Sequence, residues 1–140
     1  MRLRFERADG SITVAGVEIS ARLGEPRPCV GVSAGRVILE YTSGSITAYG
    51  IGPEVEGGLA LYAMVYCSHG GTQMASIEVT PVEEIEGLEV SPDARRRIRE
   101  RHDEILREQL GTPPYVFEWG VVESVDDPRA LQPNIVIKYR

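Results

Sequence analysis

Short runs of alternating apolar and polar residues, separated by turn sequences, restrict the fold of this chain more than any other feature. The first two runs flank Asp9-Gly10, a dipeptide that is typical of a two-residue hairpin turn. A turn at those residues predicts that Phe5 lies opposite Val14 in the next strand. The apolar positions change parity after Gly16, and a glycine at such a change predicts a β-bulge or a bend.

Two further hairpins are predicted in the central part of the chain. The first turns at Ser43-Gly44 and places Thr42 opposite Ser45, so that both of its strands have an apolar face. It continues into a loop over residues 52–58 and then into two more strands.

The last central hairpin is predicted to turn at Gly70-Gly71, because a Gly-Gly pair readily adopts the positive φ angles of a tight turn. That turn places Cys67 opposite Met74. The strand before it, residues 59–67, is apolar on both faces, which predicts that both faces are covered. The helix, a folded-over sheet or a partner subunit could supply the cover. Its two faces carry Leu61, Ala63 and Val65 on one side and Tyr62, Met64 and Tyr66 on the other.

Residues 91–110 have the signals of an amphipathic helix. Ser91 is suited to the N-cap position, Pro92 to the first helical position, and Gly111 to the residue just past the end. The apolar stripe at helical spacing consists of Ala94, Ile98, His102, Ile105, Leu106 and Leu110. His102 lies within this stripe, so we interpret it as a packed core histidine rather than as a base or a metal ligand.

About nine strand segments and one helix predict an α+β fold. The strands follow one another through tight turns, so we expect a mainly antiparallel meander that forms a small barrel or a folded-over sheet. With 140 residues, the chain is expected to form a single domain over residues 1–140. The strand that is apolar on both faces favours a homo-oligomer.

The composition narrows the range of functions. A net charge of −6 argues against a nucleic-acid-binding surface. Two cysteines and two histidines, without a CxxC pair, predict no metal site, and the absence of phosphate-binding loops predicts no cofactor. We see neither a signal peptide nor a membrane-spanning run, so we expect a cytoplasmic protein. The scarcity of Asn and Gln is typical of a thermophile.

Cys67 and His69 form the most reactive-looking pair, and we take them as candidate catalytic residues. A histidine beside a cysteine can activate the thiolate. However, residues two apart on a strand are roughly 6.5 to 7 Å apart, too far for a direct hydrogen bond. The simpler interpretation is that Cys67 fills the core and His69 lies in a turn. An enzyme would require a subunit interface to complete the site.

Two other groups are candidates for binding. Gly70 and Gly71 would let a ligand approach the backbone, and Tyr62 and Tyr66 could line a small-ligand cavity in a barrel. On the helix, a run of arginines lies in the first turns, where the helix dipole disfavours cations. The simpler interpretation is a solvated face with i,i+4 ion pairs, and the alternative is a binding surface for an acidic protein partner, a phosphate or RNA. The members of this run are Arg95, Arg96, Arg97 and Arg99.

These features favour a binding or assembly module that has no catalytic activity of its own and acts through a sheet face or the Arg-rich helix. The alternatives are a small-ligand-binding barrel and an enzyme centred on Cys67 and His69.

Overall fold

A computed structural model of the chain describes residues 3–19, 37–68, 71–82 and 91–140. The predicted site residues His69 and Gly70 lie outside these ranges. The described elements are β1 (Leu3–Phe5), β2 (Ile12–Val14), β3 (Val17–Ile19), β4 (Val37–Ser43), β5 (Ile46–Glu56), β6 (Leu59–Ser68), β7 (Gly71–Pro81), α1 (Pro92–Leu110), β8 (Tyr115–Phe117), β9 (Gly120–Val125) and β10 (Asn134–Tyr139).

The strands form two antiparallel sheets, one of three strands in the order β1-β2-β3 and one of seven in the order β4-β5-β6-β7-β10-β9-β8. This confirms the predicted α+β class with a mainly antiparallel arrangement. The predicted small barrel is wrong, because β4 and β8 remain the edges of an open sheet. Closure is not needed to bury the apolar side of this sheet, since α1 and the three-stranded sheet cover it.

The first hairpin has a longer loop than its Asp-Gly sequence predicts. Phe5 pairs with Ile12 rather than with Val14, a register two residues from the predicted one. The Glu6 amide donates to the Ser11 carbonyl over 2.7 Å, so the loop spans four residues. A shift of two residues keeps every side chain on its predicted face, because strand side chains alternate with a period of two.

The parity change at Gly16 is a hairpin turn and not the predicted bulge. Ala15 and Gly16 both have positive φ, at 50° and 78°, and Val14 pairs with Val17 across them. Two successive residues with positive φ are the requirement of the primed turn that joins two strands tightly. Ala15 is a non-glycine residue in this conformation, which the sequence alone does not indicate.

The two central hairpins also differ from the predicted registers. Ser43, rather than Thr42, closes the first one by pairing with Ile46. In the second, Met74 pairs with Tyr66 instead of Cys67, because the register shifts between Tyr66 and Cys67. This irregularity moves Met74 to the opposite side of the sheet from the one predicted.

The helix agrees with its prediction in both bounds and facing. The Ser91 side chain accepts a hydrogen bond from the Ala94 amide at 3.1 Å, and the Gly111 amide donates to the Arg107 carbonyl at the other end. The buried residues of α1 are the predicted stripe, including His102. No helix within the described ranges is long and apolar enough to cross a membrane.

Both covering layers lie on the same side of the seven-stranded sheet. α1 contacts β7 and β9, while β2 contacts β6. On this covered face Leu61 and Ile77 are fully buried and form one cluster with Leu3 of β1 and with Leu106 of α1. The opposite side of the sheet carries no described helix or strand, and we refer to it as the open face.

Candidate protein-binding face

The open face contains a row of residues that crosses all seven strands, which we call the long row. Each member is the cross-strand partner of the next, so the row is fixed by the strand registers. At about 4.8 Å between neighbouring strands, its ends are roughly 29 Å apart. From edge to edge it consists of Tyr41, Ala48, Tyr66, Met74, Lys138, Val121 and Val116.

The long row has two exposed ends, and between them a buried Ala48, an exposed Lys138 and three half-buried residues. Tyr41 is 63% exposed and Val116 is 53% exposed, while Tyr66 and Met74 are intermediate. Ile46 extends the apolar surface beside Tyr41 and is 42% exposed. Tyrosine and methionine, the residue types at positions 66 and 74, are enriched at protein–protein interfaces.

Among the described residues, three charged groups lie on the open face: Lys138 in the long row, Glu123 on β9 and Glu78 on β7. Glu123 and Lys138 are exposed, whereas Glu78 is half-buried opposite Tyr62. Burial raises the pKa of the Glu78 carboxyl above its usual range. Burial also raises the pKa of Tyr62, with a smaller contribution from the nearby Glu78.

Cys67 lies on the covered face rather than in a cleft. Its side chain is 2% exposed, and its sulfur is 3.8 Å from the Thr72 hydroxyl oxygen across the β6–β7 pair. Since His69 lies outside the described residues, the predicted pairing of thiol and imidazole remains a prediction. The position of Cys67 agrees with the simpler interpretation of a small apolar core residue.

Of the predicted ligand-binding residues, the structure describes Gly71, Tyr62 and Tyr66, whereas Gly70 lies outside the described ranges. Gly71 opens β7 opposite Ser68, whereas Tyr62 and Tyr66 lie on the open face. The Tyr62 hydroxyl donates to the sulfur of Met64 at 3.1 Å. Because the sheet is open, these two tyrosines do not line the interior of a barrel.

Of the four predicted arginines of α1, two contact residues after the helix and two pair within its first turn. Arg95 is the most buried, with a side chain that is 12% exposed, and it pairs with Asp126 at 2.6 Å. Arg96 and Arg97 both pair with Asp93 of the first turn, on the exposed side of the helix. The fourth, Arg99, donates to the Ser124 carbonyl at 3.5 Å. These contacts connect the helix to its neighbours and offset the unfavourable placement of cations at its start.

His102 packs between α1 and β9, as the sequence predicts. Its Nδ1 lies 2.9 Å from the Ser124 hydroxyl oxygen, and its Nε2 is buried without a hydrogen-bond partner. Burial and the neighbouring Arg99 cation lower its pKa from 6.5 to about 4. The ring is therefore neutral at physiological pH and belongs to the core. The described residues contain no group of histidine, cysteine and acidic side chains that could hold a metal ion.

Sequence reasoning missed most of the open face. Tyr41, Met74, Lys138 and Val116 come from four different strands, and only the strand order and registers bring them into one row. The available signal was the strand 59–67, which is apolar on both faces and was predicted to be covered on both; its second face is half-buried in the structure. What the sequence does not indicate is that the described elements cover only the first face.

No family model matches this chain, and no curated protein matches it either. Among solved structures, it is similar to a chain of the complex described as Rhs1-CT with its cognate immunity protein RhsI1. The similarity has a TM-score of 0.61 at 14% sequence identity. It covers 99% of this chain and 87% of the other. The two chains therefore have the same fold despite little similarity of sequence.

Proposed function

We propose that this chain is a binding module without catalytic activity of its own, and that its open face binds a protein partner different from itself. The observation that carries this proposal is the long row, a series of cross-strand partners from Tyr41 to Val116 that crosses every strand of the seven-stranded sheet. Tyr66 and Met74 lie at its centre, where hot-spot residues of interfaces are concentrated.

The charge of the chain favours a basic partner. The chain has a net charge of −6, and the strands that the structure describes place two carboxylates, Glu78 and Glu123, and one cation, Lys138, on the open face. Complementary charge steers association and selects among partners. We therefore expect a partner surface with apolar side chains at its centre and Lys or Arg around them.

The solved structure with a similar fold supports a partner that is a different protein and not a second copy of this chain. The matched chain comes from a complex of two different proteins, one of which is named the cognate immunity protein of the other. A fold of this type is thus compatible with tight pairing to one dedicated partner, and we propose the same kind of pairing for this chain.

The test compares two variants of the full chain as baits for proteins of its own cell extract. The first, Tyr66→Ala with Met74→Ala, changes the centre of the open face. The second, Arg96→Ser with Arg97→Ser, changes the exposed arginines of α1 and serves as the matched control. We expect one basic protein to be retained by the wild type and by the helix variant. Its affinity should fall by about 30-fold or more for the open-face variant, as for hot-spot truncation.

Two results would contradict the proposal. Retention that depends on Arg96 and Arg97 but not on Tyr66 and Met74 would assign binding to the helix instead. Sedimentation equilibrium provides the other check: if the wild type forms a homo-oligomer that the open-face variant abolishes, the occupant of the face is a second copy. That result would support the homo-oligomer predicted from the strand 59–67.

A further inference from the structure

One part of the open face combines hydrogen-bond acceptors with an aromatic ring. Tyr62 of β6 is the cross-strand partner of Glu78 on β7. On the other side of Glu78 lies Asn134 of β10, one position beyond the pair of Ile135 with Ile77. Directly opposed side chains on one face have Cβ atoms about 4.5 to 5.5 Å apart. We call these three residues the Glu78 niche.

The Asn134 amide oxygen and the Glu78 carboxylate have no donor among the described residues. A buried donor without a partner, the Nε2 of Gln132, lies along the same face, where the Oε1 of Gln132 accepts from the Thr80 hydroxyl. The amide oxygen of Asn134 is buried without a hydrogen-bond partner. The Tyr62 hydroxyl donates its hydrogen bond to the sulfur of Met64, a weak acceptor. Toward Glu78 this hydroxyl therefore presents only its lone pairs. Within the described part of the chain, no cation or donor contacts the carboxylate of Glu78, whose raised pKa has burial as its cause.

This arrangement is unfavourable in the isolated protein. A half-buried carboxylate loses part of its hydration, and here no ion pair offsets that loss. A donor-rich cation from outside would restore those interactions. The single acidic side chain of the niche does not make a metal site, since a hard cation such as Ca²⁺ takes six to eight oxygen ligands.

Among protein cations, the guanidinium group fits best. It is planar, carries five N–H donors, and can pair with the Glu78 carboxylate through two of them at once. It is also more weakly hydrated than an ammonium group and stacks on aromatic rings, here the ring of Tyr62. We propose that the Glu78 niche binds an arginine side chain presented by the protein partner. That this arginine belongs to a protein partner rests on the proposed function of the open face.

The proposal can be tested without the partner. The probe is N-acetyl-arginine methylamide, and its matched control is the citrulline analogue, which has the same shape but no charge. Amide chemical shifts of the full chain are followed during titration with each compound. We expect the arginine probe to perturb residues around Tyr62, Glu78 and Asn134 with saturation. The citrulline probe should leave those residues unchanged.

Two variants make the test specific. Glu78→Gln should weaken binding of the arginine probe by about tenfold or more, as loss of a charged hydrogen-bond partner does. Glu123→Gln removes the other carboxylate of the open face and should leave the affinity unchanged. Equal binding of citrulline, equal binding of the lysine analogue, no saturable binding, or wild-type binding by Glu78→Gln would each overturn the proposal.

The outcome is separable from that of the proposed function. If Tyr66→Ala with Met74→Ala abolishes partner binding while the probe never binds the niche, the face is the docking site and the arginine assignment is wrong. If the probe binds the niche but partner binding survives the double substitution, the niche exists and the long row is not the docking surface. The thermal stability of Glu78→Gln confirms that the variant is folded.

Discussion

The two faces of β6 are both apolar, yet they have different surroundings. On the covered face, Leu61, Ala63 and Val65 are fully buried beneath the three-stranded sheet. On the open face, Tyr62 and Tyr66 are only half-buried. Small aliphatic side chains interdigitate with a second layer, whereas large amphipathic ones can remain partly in water. Apolar character alone therefore does not indicate a core; the number of covering layers decides which face is buried.

The largest expected effect of this difference is on stability. Leu61→Ala on the covered face should lower the free energy of unfolding by about 2 to 5 kcal/mol, because it leaves a cavity in a packed core. Met64→Ala, three residues away on the open face, should cost about 1 kcal/mol or less. Urea denaturation of both variants measures the difference. Equal losses would mean that the open face is packed as tightly as the core.

The second prediction compares two glycines at hairpin loops. Gly10 has a φ of 76°, and a Cβ atom there would lie 2.3 Å from the ring of Trp119. The indole N–H of Trp119 donates to the Arg7 carbonyl at 2.9 Å, and this hydrogen bond holds the ring in place. Gly44 has a φ of 62° with open space around it. Gly10→Ala combines backbone strain with overpacking and should cost about 3 kcal/mol.

Gly44→Ala carries only the backbone strain and should cost about 1 kcal/mol. The thermal midpoints of the two variants give the comparison directly. A loss for Gly44→Ala as large as that for Gly10→Ala would contradict it, since the clash with the Trp119 ring would then contribute nothing.

The third prediction concerns the pH dependence of the covered face. His102 has a pKa of about 4 in the folded protein, against 6.5 for an unperturbed histidine. Between these values the unfolded chain binds the additional proton, so stability falls as the pH falls from 6.5 to about 4. The full contribution is present above pH 6.5, and the loss amounts to about 3 kcal/mol at the lower limit.

His102→Gln isolates this contribution because glutamine does not titrate and can still bond the Ser124 hydroxyl. The stability of this variant should be less sensitive to pH in the window from 4 to 6.5. If wild type and variant lose equal stability on acidification, His102 is not the group responsible. The open face has no histidine among its described residues, so the test bears on the covered side alone.

Periodicity predicted faces well but registers poorly. In the first hairpin, Phe5 pairs two residues from its predicted partner yet stays on the predicted face. The pairing of Cys67 with Met74 was wrong, because the register shift after Tyr66 is one residue and changes the face of Met74. Alternation indicates which side chains share a face, whereas loop length and bulges fix the register, and neither is determined by local pattern.

The helix and the open face show the two limits of prediction. Ser91, Pro92 and Gly111 mark the ends of α1 locally, so its bounds follow from the sequence. The long row depends instead on β10, the last strand in the sequence, lying between β7 and β9. No local signal in the sequence indicates this order. A surface assembled from seven strands can be recognised only once their order is known.

The smallest expected effect separates two arginines of the covering helix. Arg95 pairs with Asp126 and also donates to the Ala130 carbonyl, so it joins α1 to the connection between β9 and β10. Arg95→Ala should lower the free energy of unfolding by about 1 to 2 kcal/mol, because it leaves part-buried partners unsatisfied. Arg96 pairs with the exposed Asp93, and Arg96→Ala should lower the free energy of unfolding by less than about 0.5 kcal/mol.

Added salt should reduce the small effect of Arg96→Ala further and leave most of the larger effect of Arg95→Ala, since screening acts mainly on exposed pairs. Urea denaturation at two salt concentrations measures both variants, and equal, salt-sensitive losses would show that Arg95 is no more than a surface charge.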